Sequence, residues 1–233
     1  MVDMPMRRTL LFERFVRLST VLVVLLSLPV LGSAQTGQSP EALAKALQAR
    51  YQSVRDFTAD FVQIYRGGVL RTETRESGTV AVKKPGLMRW TYTSPERKEF
   101  VSDGQKMYSY IPEDRQVMVS NVPADTDAPT PILFLAGKGD LVKDFTAEKA
   151  QSPVQGAVAL KLTPRRNEPE YEYLIVALDP ATLQIRALTT KDRQGGESTL
   201  KFENLKENKG ISDKDFAFRI PRGVDVITNG QRN

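Results

Sequence analysis

Histidine and cysteine are both absent from this 233-residue chain. Thiol nucleophiles, Ser-His-Asp triads, zinc fingers and HExxH metalloprotease sites are therefore excluded. An enzyme would have to work through carboxylate, lysine, tyrosine or serine groups in a specific constellation. No P-loop or calcium-loop motif is present. A dominant charge is also lacking, since 33 Lys and Arg stand against 28 Asp and Glu for a net +5. That balance is too even for a dedicated nucleic-acid binder. Without disulfides, stability must come from an apolar core. These absences favour binding over catalysis, with no metal or cofactor expected.

Long apolar runs are scarce as well. The one at the N-terminus, Val21-Leu22-Val23-Val24-Leu25-Leu26, extends to Leu31 but is broken by Ser27 and Pro29. Its uninterrupted part is shorter than the ~20 residues of a spanning helix. Arg7, Arg8, Arg14 and Arg17 precede it, and Gly32-Ser33-Ala34 comes after it. Basic region, apolar region and small residues together predict a signal peptide over 1–34, cleaved before Gln35. A residue other than cysteine after the cut leaves no site for a lipid anchor. The remaining 35–233 carry 29 basic and 26 acidic residues, and their length suits a single domain.

One segment of this domain has helical period. Ser39-Pro40-Glu41 supplies an N-cap, a proline for the first position and an acid for the first turn. Leu43, Ala46, Leu47, Arg50, Tyr51 and Val54 then recur every three or four residues, predicting a helix of about four turns with one apolar stripe. Most of the remaining chain has period two. Met88, Trp90 and Tyr92 alternate with Arg89, Thr91 and Thr93, and similar runs surround Leu160 and Val176. Turn signals such as Lys84-Pro85-Gly86, Asp103-Gly104 and Gly195-Gly196 separate the runs. This pattern predicts an antiparallel meander that curls into a barrel or half-barrel at about ten strands.

Between Asn121 and Asp140 the pattern stops. Pro123, Pro129 and Pro131 break any strand, and Ile132-Leu133-Phe134-Leu135-Ala136 before Gly137 offers one or two apolar helical turns. Such a turn is either plain core or a lid over an apolar cavity. Other motifs read as structure. Gly137-Lys138-Gly139 lacks the third glycine and the context of a dinucleotide loop. Ser198 and Lys201 match S-x-x-K but lie in a strand pattern, where positions three apart face opposite sides. Glu168, Glu170 and Glu172 share a face if extended, as solvated strands do. Arg165-Arg166 and Lys83-Lys84 are basic turns, either solvated or docked to an acidic partner.

Several blocks, in order, resemble the periplasmic outer-membrane lipoprotein carrier family, LolA. Val82-Lys83-Lys84-Pro85-Gly86-Leu87-Met88-Arg89-Trp90-Thr91-Tyr92 leads to Pro95, Val101-Ser102-Asp103-Gly104, Tyr108 and Tyr110. Phe57-Thr58-Ala59-Asp60-Phe61-Val62-Gln63 stands before them. Thr130-Pro131-Ile132-Leu133-Phe134-Leu135-Ala136, Phe216-Ala217-Phe218 and Pro221-Arg222-Gly223-Val224-Asp225-Val226 stand after. The resemblance implies a mainly β fold, an unclosed antiparallel barrel of about eleven strands with an α-helical lid over an apolar cavity. It implies a soluble periplasmic chaperone that is not an enzyme and is expected to be monomeric. Such a carrier takes the acyl chains of lipoproteins from an ATP-driven, ABC-type inner-membrane transporter and passes them to an outer-membrane lipoprotein receptor. A carrier of another envelope lipid or glycolipid, or a lipid-binding periplasmic sensor, would share the pattern.

Resemblance and period together assign Met88, Trp90, Tyr92, Phe61 and Phe202 to the acyl-chain cavity. Leu47, Tyr51, Leu133 and Phe134 are the lid residues. Lys84 is a departure, because relatives commonly carry arginine before this proline to latch lid carbonyls, here those near Leu135 and Ala136. Lysine keeps the charge but loses the planar fork of donors, so a weaker latch is expected. Met88 departs too, standing where an aromatic is frequent. With no histidine to titrate near neutral pH, release is expected to come from the receptor rather than from pH.

Overall fold

The computed structural model describes residues 38–67, 72–122, 134, 135, 137 and 139–229. The expected signal peptide, the proline-bearing loop over 123–131, and Leu133 and Ala136 lie outside the described residues.

Helix α1 runs over Pro40–Gln52. The Ser39 hydroxyl accepts from the Ala42 amide at 3.2 Å, and Pro40 opens the first turn. Ala44, Leu47 and Tyr51 form its buried stripe, three and four residues apart as one helix face requires. Eleven strands come next: β1 Asp56–Arg66, β2 Glu73–Lys83, β3 Leu87–Ser94, β4 Lys98–Asp103, β5 Lys106–Ile111, β6 Gln116–Asn121, β7 Phe145–Ala150, β8 Val158–Pro164, β9 Tyr171–Leu178, β10 Ile185–Asp192 and β11 Glu197–Glu207. A short helix α2, Leu141–Asp144, leads into β7.

All eleven strands pair antiparallel, in the order β6-β5-β4-β3-β2-β1-β11-β10-β9-β8-β7. The meander is interrupted once, between β6 and β7, where the prolines fall. A twelfth strand, β12 Asp225–Asn229, corrects the all-antiparallel expectation by pairing parallel to β6. Its parallel sense comes from the path of the chain, because a parallel partner needs a crossover instead of a tight turn. The crossover passes beside β3, where Arg89 donates to the Asp215 carbonyl at 2.7 Å and the Ala217 carbonyl at 2.9 Å. Phe218 stacks on Tyr108 with centroids 5.0 Å apart. β12 and β7 end the sheet and do not pair with each other, so the barrel is unclosed.

The β2–β3 seam carries one of the sheet's register irregularities. The register shifts between Ser77 and Gly78, and a Cβ on Gly78 would lie 2.0 Å from the Thr91 carbonyl oxygen. Only glycine allows that approach. Glu168 and Glu170 correct another expectation: both precede β9, so of the three glutamates only Glu172 is on a strand. The Glu168 carbonyl accepts from Arg193 at 2.6 Å.

Helix α1 packs on α2, β7 and β8. It covers the half of the concave face that carries Leu160, Leu162, Leu174, Val176 and Ile185, all buried. The apolar hollow lies on the other half, at β3–β5.

Candidate functional site: an apolar hollow beside a tethered helical turn

Strand register determines which side chains meet. Met88 stands between Val82 and Ser102, with Met107 next in line; Trp90 stands between Val80 and Phe100; Tyr92 stands between Gly78 and Lys98. These rows run across the concave face and enclose a hollow of about 270 Å³. Met88, Trp90, Tyr92, Phe100, Met107 and Leu200 provide apolar wall, while Gln63 and Ser102 are polar. Alternation brought Met88, Trp90 and Tyr92 to one face, and that face is the one turned to the hollow.

Phe61 and Phe202 sit beneath this wall. They are partners across β1 and β11 and nearly fully buried. Phe61 meets the Trp90 ring edge-on at 5.1 Å and the Tyr92 ring at 4.8 Å, and Phe202 lies 6.4 Å from Trp90. Edge-to-face rings at such distances stiffen the wall. The two phenylalanines are the floor, and the surface above them belongs to Trp90 and Tyr92. Phe100 and Leu200 stand in strands that are polar at most other positions, and Met107 stands in a strand with no clear apolar alternation. Their register opposite Trp90 and Met88 is a tertiary fact.

The helical turn at Phe134 and Leu135 is held by Tyr51. Its ring stacks on Phe134 at 4.5 Å, and its hydroxyl donates to the Leu135 carbonyl at 2.9 Å. Leu47, fully buried, lies one turn earlier on the same helix. Burial, with Glu207 nearby, raises the Tyr51 hydroxyl pKa and keeps it a donor.

Lys84 reaches the same place by a different route from the one expected. Its ammonium donates to the Tyr51 carbonyl and sits 3.5 Å from the centroid of the Tyr51 ring. The Leu135 carbonyl is engaged by the Tyr51 hydroxyl instead. Lysine therefore bears on the turn at Phe134 and Leu135 through Tyr51, combining a charged hydrogen bond with a cation–π contact. Its stem lies against Gly137, where a Cβ would come within 2.5 Å of the Lys84 Cδ and φ is +84°. Burial lowers the Lys84 ammonium to about 8; Glu207 opposes that shift and Arg50 reinforces it. Arg50 and Glu207 form an ion pair of their own, and Arg50 also donates to the Thr182 carbonyl at 3.1 Å. Burial thus gives this histidine-free chain a group that titrates near pH 8.

A larger hollow of about 620 Å³ lies between Arg89, Glu99, Tyr110 and the crossover at Phe218. Arg89 and Glu99 pair with each other there, and Lys214 and Arg219 add two further charges to the lining. A charged lining of this kind does not suit acyl chains. Among the described residues no group of His, Cys, Asp or Glu is arranged to hold a metal.

Residues 52–219 match the model of the family described as outer membrane lipoprotein carrier protein LolA. An outer-membrane lipoprotein carrier protein from Chromohalobacter salexigens is 34% identical over 208 residues, covering 88% of this chain and 93% of the relative. One from Hahella chejuensis is 31% identical over 207 residues, covering 88% and 97%. An uncharacterized conserved protein from Thermus thermophilus shares the fold, with a TM-score of 0.51 at 15% identity, covering 80% of this chain and 99% of that one. The family match and the relatives coincide with the concave apolar sheet just described, and the chain belongs to the outer membrane lipoprotein carrier family, LolA.

Proposed function

We propose that this protein is exported to the periplasm, loses residues 1–34, and as a single domain over 35–233 shields lipoprotein acyl chains between the two membranes. Cargo arrives from an ATP-driven inner-membrane transporter and leaves to an outer-membrane lipoprotein receptor. The observation that carries this reading is the apolar hollow on the concave face, linked through Phe202 to a helical turn tethered by Tyr51. Met88, Trp90 and Tyr92 contact the chains, Phe61 and Phe202 support them, and Leu47, Tyr51, Leu133 and Phe134 form the lid. Lys84 biases it shut, with the carbonyls of Leu135 and Ala136 at the moving end.

Capacity explains the need for a lid. If a methylene takes about the room of a water molecule, ~30 Å³, the hollow of about 270 Å³ holds roughly nine of them. At about 0.8 kcal/mol each, that is roughly 7 kcal/mol of gross transfer free energy. A dozen-carbon chain carries on the order of 10 kcal/mol. The closed form thus holds part of one chain, and loading requires the turn at Phe134 and Leu135 to move. Closure in the empty protein covers walls that would otherwise be an exposed apolar patch. Release without a periplasmic energy source requires the receptor to hold the chains better than the carrier does.

The test is to isolate the protein from the periplasm of its host and identify the bound lipid by mass spectrometry. Peptides bearing acylated, diacylglyceryl-modified cysteine support the proposal. A free envelope lipid or glycolipid in their place would refute the lipoprotein assignment.

A further inference from the structure

The carrier reading gives Gln63 no role, although it lies in the wall of an otherwise apolar hollow. It faces Leu200 across β11 and Glu76 across β2. Its amide sits between two hydroxyls, with Tyr92 Oη 2.7 Å from Oε1 and Ser198 Oγ 3.0 Å from Nε2. In either amide orientation one N–H and one lone pair of Gln63 remain without a partner among the described residues. Ser102, the other polar wall residue, is committed: its hydroxyl donates to the Gly86 carbonyl at 2.7 Å.

Charge narrows what Gln63 could receive. The Lys98 ammonium lies 4.5 Å from the centroid of the Tyr92 ring and is paired with Glu76. This end of the hollow is therefore polar but neutral. A carboxylate arriving here would meet Glu76 and find Lys98 already occupied. A neutral carbonyl would accept the spare Gln63 N–H, and a hydrocarbon alone would bury that N–H unsatisfied, at a cost.

We propose that Gln63 and Tyr92 form a subsite for a neutral acyl carbonyl, ester or amide, so that the head of an acyl chain sits there and its tail runs toward Met88 and Met107. Tyr92 and Met88 are four residues apart on β3, about 13 Å along the strand, so the subsite and the apolar end are well separated. Tyr92 orients the Gln63 amide and closes that end of the hollow with its ring. This inference rests on the carrier reading and adds an orientation to it.

Three twelve-carbon probes test it: dodecane, laurate and monolauroylglycerol, each titrated against the full mature protein and followed by Trp90 fluorescence. Wild type should prefer monolauroylglycerol to laurate. Gln63→Leu should weaken monolauroylglycerol about 5- to 10-fold, the equivalent of one hydrogen bond, and should not weaken dodecane. Tyr92→Phe should shift the ester in the same direction by less, and it serves as the readout if Gln63→Leu does not fold. Equal loss for ester and alkane, or loss for neither, overturns the subsite while the carrier reading stands. Uptake of no probe by wild type sinks both. Repeating the titration with a diacylglyceryl-cysteine peptide and with dilauroyl phosphatidylcholine separates the sources of the carbonyl. Dependence on Gln63 with the peptide assigns the subsite to cargo, and dependence with the phospholipid alone assigns it to a membrane lipid.

Discussion

Replacing Tyr51 by phenylalanine should loosen the lid while leaving the barrel intact. The change keeps the ring that stacks on Phe134 at 4.5 Å and keeps the carbonyl that receives Lys84. It deletes only the hydroxyl, which donates to the Leu135 carbonyl at 2.9 Å in a buried setting. A hydrogen bond of this type is worth about 0.5–1.5 kcal/mol net, and a stranded buried acceptor costs about 1–3 kcal/mol. Loss of about 1–2 kcal/mol from the closed form multiplies the open fraction by roughly 5 to 30. Trp90, the single tryptophan of the chain, reports on this. Tyr51, Leu135 and Phe202 border one narrow gap, and Phe202 adjoins Trp90. Moving Leu135 therefore opens a path for quencher. Acrylamide should quench Trp90 more strongly in Tyr51→Phe, and exchange of the Gly137 amide, which donates to the Phe134 carbonyl at 2.9 Å, should accelerate. If the melting temperature falls but quenching and Gly137 exchange match wild type, Tyr51 is only core and has no part in a lid.

Three further perturbations probe the same site. Because burial lowers Lys84 to about 8, the closed form releases its proton before a solvated lysine would. The unfavourable burial of charge is fully present below pH 8 and is relieved as pH rises from about 8 toward the ordinary lysine value. Wild type should therefore gain stability relative to Lys84→Arg across that interval in parallel denaturant titrations, and a pH-independent difference would contradict the shift. Phe61→Ala, at a site 1% exposed, should cost about 3–5 kcal/mol; calorimetry should show a fall of roughly 2–4 °C for each of those kcal/mol. Phe100→Glu places a carboxylate on the wall beside Trp90, and lipopeptide binding should fall at least about ten-fold, equivalent to 1.4 kcal/mol, with the far-ultraviolet circular dichroism unchanged.

Much of this architecture was legible in the chain. Period-two runs and their turn signals predicted a meander, Ser39-Pro40-Glu41 located the start of α1, and the prolines after Asn121 located the single break. Such features are local: they depend on φ/ψ preferences and on which residues lie two or four positions apart. The face shared by Met88, Trp90 and Tyr92 is of that kind, as alternation alone brings the three together. What lies opposite them is not. Phe100 and Met107 join the wall through cross-strand register, and β12 returns parallel because the chain crosses beside β3. Neither can be read from a neighbour along the sequence.

The lysine before Pro85 marks the same boundary. Its charge, its lost fork of donors and its nearness to a turn are all written in the sequence. The carbonyl it bonds, the ring beneath it and the burial that moves its proton to about 8 depend on α1 folding back over the end of β2. Histidine-free composition therefore determined which side chains could titrate. Only the tertiary structure decided that Lys84 does so near pH 8, because desolvation belongs to packing and not to residue type.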